Sequence, residues 1–134
     1  MDDNGSMEAS MTSAATKGTQ ASDIQVTLAA AAARLSAQNP FNVVFDRGDD
    51  ISVELYAPVG RDNQTPHERD ELYIVASGHG TFSRGDELVS FGPGDLLYVP
   101  AYVPHRFETF SDDFKTWVIF YGPKRTAPRE RDAV

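Results

Sequence analysis

From residue 41 onward the chain alternates between short extended segments and turn compositions, a rhythm that admits few folds. Candidate strands run over 42–45, 51–56, 71–76, 80–84, 87–91, 96–99, 105–110 and 116–121. Between them stand Gly48-Asp49-Asp50, Gly78, Gly85-Asp86, Pro93-Gly94-Asp95, Pro100 to Pro104 and Ser111-Asp112-Asp113. A period of two marks a half-buried strand, and Gly, Pro and Asp clusters reverse the chain. Strands this close together leave no room for the crossover helices that parallel pairing requires. The expected fold is all-β, with antiparallel strands arranged as a sandwich or barrel.

Ahead of the strands the period is helical. Ser22 is a candidate N-cap with Gln25 three residues on, and Ile24, Leu28, Ala31 and Leu35 fall on one face. Asn39-Pro40 stops the pattern, so a helix is expected over 22–38. Residues 1–20 are mostly small and polar, too poor in bulk to offset the entropy of ordering, and are expected to form a disordered tail. Lys124, Arg125, Arg129 and Arg131 read as a solvated C-terminal tail over 124–134. The 134 residues thus hold one domain, over 21–123.

Composition removes several classes of function. Twenty acidic residues against twelve basic ones give a net charge of −8, which repels the phosphates of nucleic acid. No apolar run approaches the roughly 18 residues of a membrane span. The start, with Asp2 and Asp3, lacks the basic and apolar regions of a secretory signal, so a cytoplasmic protein is expected. Cysteine is absent, so any metal must sit on His, Asp or Glu.

His67 and Glu71 lie at the entry to the apolar run Leu72-Tyr73-Ile74-Val75. Four residues apart in extended chain, they point to the same side. His105, just after the rigid Pro100 to Pro104 corner, is the obvious third donor. Imidazole and carboxylate together suit Fe, Mn, Ni or Zn. Tyr73 and Val75 would share the inward face with Glu71, and Phe107 and Thr109 with His105. Tyr98 competes with Leu97 and Val99 for that direction. Trp117 and Tyr121 read as core or pocket wall, and His79, in a Gly78-His79-Gly80 turn, as surface.

Two spaced motifs extend this picture. Gly60, Thr65-Pro66-His67, Glu71 and Gly78 form the first; Gly94, Pro100, Tyr102, His105 and Thr109 form the second. Over about residues 41–122 the sequence resembles the cupin family, small single-domain cupins in particular. The resemblance implies an antiparallel double-sheet barrel of jelly-roll type, preceded here by one helix, and a divalent transition metal inside it. Carried over position by position, the ligands are His67, Glu71 and His105, with Thr65 where the family has another His. Tyr102 stands at a motif Gly and Thr109 at a motif Asn. Gln64, or Arg69 and Asp70, are candidates to modify the ligand shell.

For function, the resemblance implies a metal-dependent enzyme acting on a small organic molecule by dioxygenase, isomerase or lyase chemistry, with Tyr73 and Tyr98 as candidate catalytic residues. A second reading is a non-catalytic binding or sensing barrel with a degenerate metal site. A third, an epimerase-like cupin for sugar nucleotides, would need Arg61, Arg69 and Arg106 around the pocket. A two-fold homodimer is the default assembly.

Overall fold

The structure, a computed structural model, describes residues 24–127. The chain divides after Arg34, and each unit is taken by itself. In the first, helix α1 spans Leu28–Ala32, with the Thr27 hydroxyl accepting from the Ala30 N–H at 3.1 Å as an N-cap. This is shorter than the helix expected over 22–38. Residues Ser36 to Asn39 close a turn of their own, in which the Asn39 N–H donates to the Ser36 hydroxyl at 3.0 Å. A serine side chain competing for backbone partners favours such a turn over another helical one. Ser22 and the expected tail at 1–20 lie outside the described residues. No helix among the described residues is long and apolar enough to cross a membrane.

The second unit carries β1 (Phe41–Asp46), β2 (Ile51–Tyr56), β3 (Asp70–Ser77), β4 (Gly80–Arg84), β5 (Glu87–Phe91), β6 (Leu96–Val99), β7 (His105–Phe110) and β8 (Lys115–Tyr121). They form two antiparallel sheets, one ordered β1-β2-β8-β3-β6 and the other β5-β4-β7. Turn chemistry sets the short connections. Between β4 and β5 the chain reverses on Gly85-Asp86, with Gly85 at φ +60°, the glycine-first arrangement of a two-residue hairpin.

Between the sheets lies an aromatic core. Tyr56, Tyr73, Val75, Val99 and Val118 from the larger sheet meet Phe82, Phe91 and Phe107 from the smaller one, with Phe114 beside them. The Phe107 ring lies at centroid distances of 4.9 Å from Tyr73, 4.8 Å from Phe82, 5.4 Å from Phe91 and 4.7 Å from Phe114. Offset and edge contacts of this kind suit the ring quadrupoles.

Thr109 departs from expectation. Phe82 pairs with Phe107 and Thr81 with Thr109, so Glu108 is an extra residue on β7. That bulge breaks the alternation: Thr109 is exposed, its hydroxyl 2.8 Å from that of Thr81, while Phe110 packs against the core. Within the expected tail Arg125 departs from a solvated position, while Arg129 and Arg131 lie outside the described residues. The Arg125 N–H donates to the Glu68 carbonyl at 2.7 Å, and its guanidinium reaches the Asp70 carboxylate at 2.6 Å. Asp70 is buried at the start of β3, where a lone carboxylate without a cation would be costly.

Candidate metal centre

Three elements converge on one point at the barrel mouth. Glu71, second residue of β3, turns inward opposite Val99 of β6 and Phe120 of β8. His67 precedes the strand, and its backbone carbonyl accepts from the Tyr102 N–H at 2.7 Å. His105 opens β7. Its Nδ1 lies 2.9 Å from the Val103 carbonyl. A carbonyl can only accept, so Nδ1 carries the proton and, in the neutral ring, Nε2 presents its lone pair.

That lone pair faces Glu71. His105 Nε2 is 3.3 Å from Glu71 Oε1, and His67 Nε2 is 3.9 Å from the same oxygen. One donor atom from each of the three residues can be chosen so that all lie within 4.8 Å of one another. While the ring is neutral, both oxygens of Glu71, which is 0% exposed, and the His105 Nε2 have no hydrogen-bond partner among the described residues. Buried polar groups are nearly always satisfied, and a carboxylate facing a lone-pair nitrogen calls for a cation between them. A proton or a divalent metal meets that need, and the imidazole and carboxylate donors fit a transition ion.

The electrostatics follow from burial and from Glu71. Burial pushes the His67 imidazolium down, more than the Glu71 charge raises it. Burial acts the same way on His105, but Glu71 and the Val103 carbonyl outweigh it and the net shift is upward. Tyr73, buried on the same face, is held well above the ordinary phenol range, first by burial and then by Glu71. Its hydroxyl therefore stays protonated at neutral pH. Glu54 was not a sequence candidate. It pairs with Val118 of β8, which pairs in turn with Tyr73, and this row places it on the inner face. Burial, then repulsion from Glu71, pushes its carboxyl up to about 7.

The remaining candidates are placed elsewhere. Thr65 is exposed, and Gln64 beside it points inward, with Oε1 3.1 Å from His67 Nε2 and 3.3 Å from the Tyr73 hydroxyl. Behind Gln64 stands Asp62, 1% exposed and also missed by the sequence reading. Asp62 accepts from the Tyr56 hydroxyl at 2.6 Å, the Gln64 N–H at 3.2 Å, the Gln64 side-chain amide at 3.1 Å and the Phe107 N–H at 2.9 Å. Tyr98 is 44% exposed and lines an outer groove with Leu96, Val89 and Arg84, since Leu97 and Val99 take the inward positions on β6. Arg69 is committed to the backbone carbonyls of Gly122 at 2.8 Å and Gly48 at 3.1 Å. His79 is exposed, outside the cluster.

Comparison with known proteins places the chain in a family. A Streptomyces coelicolor protein of uncharacterized function is 40% identical over 82 residues, covering 60% of this chain and 78% of that protein. The dimethylsulfoniopropionate lyase DddQ of Ruegeria pomeroyi is 32% identical over 63 residues, 46% of this chain, and the chain spans 31% of that enzyme's length. In structure, the same lyase superposes with a TM-score of 0.56 at 24% identity, covering 78% of this chain and 58% of that one. A cupin-2 domain from Rhodospirillum rubrum gives 0.51 at 16% identity, covering 69% and 67%. The Cupin domain family matches residues 52–121, just over half of the sequence and all the strands that carry the site. On that match, and on two sheets that bring both motifs to one mouth, the chain belongs to the cupin family.

Proposed function

We propose that this cupin is a metal-dependent enzyme in which His67, Glu71 and His105 hold one divalent transition ion, Fe, Mn, Ni or Zn, and that it acts on a small organic molecule. The observation that carries the reading is the buried Glu71 carboxylate facing His105 Nε2, with no hydrogen bond on any of the three atoms among the described residues while that ring is neutral. A bound ion supplies Lewis acidity toward a carbonyl or carboxylate of the substrate. Tyr73, kept protonated beside it, donates a hydrogen bond. Phe120, whose ring lies 5.1 Å from that of His67, contributes an apolar wall. Among dioxygenase, isomerase and lyase chemistries, the sequence relation to the Ruegeria lyase supports the lyase class.

The same reading sets the protein in the cytoplasm as a two-fold homodimer. Ile74 pairs with Leu96 on the outer face of the larger sheet, and the two are 39% and 61% exposed. An apolar pair beside Tyr98 on one face suits a self-complementary contact.

The test is metal content after purification without an affinity metal, together with thermal unfolding under anaerobic Fe(II), Mn(II), Ni(II) and Zn(II). Near-stoichiometric metal is expected, with a stabilisation of about 2.7 kcal/mol at a hundredfold excess over Kd. His105→Ala should abolish both. A protein that takes up no metal on reconstitution, and shows no shift with any of the four ions, is a non-catalytic binding barrel instead.

A further inference from the structure

At the corner where the motif leaves a ligand position to Thr65, the neighbouring side chain turns inward. Thr65 faces solvent, and the inward side chain at this corner is Gln64. A carboxamide has a donor end and an acceptor end, and which of them enters the site decides what Gln64 can do. Asp62 makes that decision. Asp62 acts as an acceptor toward the Tyr56 hydroxyl and the Phe107 and Gln64 N–H groups, and its Oδ2 lies 3.1 Å from the Gln64 side-chain nitrogen, so the NH2 faces Asp62. The other end, Oε1, is thereby turned into the cluster, 3.1 Å from His67 Nε2. Asp62 is itself fixed by the Tyr56 hydroxyl and the Phe107 N–H, on strands of opposite sheets. The orientation is built into the core.

Two of the contacts in the cluster come near the spacing of neighbouring ligands, the shorter of them also a hydrogen-bond length. Two donors at right angles, each about 2.1 Å from an ion, stand about 3 Å apart. Gln64 Oε1 to His67 Nε2 is 3.1 Å, Glu71 Oε1 to His105 Nε2 is 3.3 Å, and Glu71 Oε1 to His67 Nε2 is 3.9 Å.

We infer that the Gln64 carboxamide oxygen is the fourth protein donor of the site, aimed by Asp62, and that the centre is built from two imidazoles and two oxygens. The inference rests on the metal-dependent reading above. Its consequence is selectivity. Replacing an imidazole by a neutral amide oxygen weakens the pull of the site on nitrogen-loving Ni(II) and Zn(II) more than on Mn(II) and Fe(II). Asp62 is a positioning residue: it touches no ion and acts through the amide it orients.

The experiment measures Mn(II) and Zn(II) affinities by competition with a chelator in the wild-type chain, Gln64→Leu and Gln64→His, alongside thermal unfolding of each metal-free protein. Gln64→Leu should lose about ten- to hundredfold in Mn(II) affinity, with the metal-free melting temperature held within a few degrees. In Gln64→His the ratio of Zn(II) to Mn(II) affinity should rise at least about tenfold. If the leucine variant melts early, the histidine ratio decides alone. Wild-type binding with the leucine variant within twofold and the histidine ratio unchanged would overturn the fourth donor and leave the metal site standing. A wild-type chain that binds neither ion overturns the metal reading itself, and this inference with it.

Discussion

Glu54 shares the inner face with Glu71, and its carboxyl is pushed up to about 7 from an ordinary 4.5, first by burial and then by that neighbour. A carboxyl raised in the folded state adds stability that is complete below pH 4.5 and lost as pH climbs through about 7. Glu54→Gln removes the ionisation. In the metal-free protein its melting temperature should run parallel to wild type below pH 4.5, gain on it between pH 5 and 7, and stop gaining above about 8. A gap of constant size across that range would show that the carboxyl does not titrate with folding. Single residues were unevenly legible in the sequence. His67, Glu71 and His105 were found because motif spacing and strand period agree on them. Glu54 was hidden because its place depends on pairing with Val118, sixty-odd residues away, which no local pattern encodes. Gln64 was a candidate for the ligand shell, but its inward direction, and Asp62 altogether, were hidden because Pro66 interrupts the alternation that would have told inward from outward.

Strands were the most readable elements, because Gly, Pro and Asp clusters mark their ends as clearly as alternation marks their middles. The helix was overextended for the opposite reason: its apolar spacing continued to Leu35, while Ser36 and Asn39 closed a competing turn. The β7 bulge was unreadable, since Arg106-Phe107-Glu108-Thr109 alternates well enough as a regular strand. Its effect is to keep Phe107 central and turn Thr109 outward. Phe107 is 1% exposed and contacts aromatic rings from β3, β4 and β5. Truncation to Phe107→Ala is expected to cost about 3–5 kcal/mol in urea unfolding. A loss below about 1 kcal/mol would mean that the neighbouring rings collapse into the space. The Pro100 to Pro104 corner is held differently. Tyr102 takes the motif's glycine position at φ +68°, the left-handed region that a tyrosine enters at a cost of about 1–3 kcal/mol. Its N–H holds the His67 carbonyl at 2.7 Å and its hydroxyl donates to the Arg125 carbonyl at 2.7 Å, so the strained residue joins a site loop to the chain beyond β8.

At the scale of the molecule, the double-sheet architecture was legible from strand count, spacing and the two motifs, while the assembly was open. The outer face carrying Ile74, Leu96 and Tyr98 leads to the expectation of about twice the 14.7 kDa chain mass by light scattering. Ile74→Lys with Leu96→Lys should halve it, and a wild-type chain that runs at 14.7 kDa at high concentration would remove the dimer. Glu71 belongs to the five-stranded sheet and His105 to the three-stranded one, and among the described residues no backbone ladder joins the two. An ion held between them would act as a rivet through two plates. The two sheets would then be pinned at the mouth as they already are at Asp62, whose carboxylate takes the Tyr56 hydroxyl from one and the Phe107 N–H from the other, so that removing the ion would leave the Asp62 tie in place.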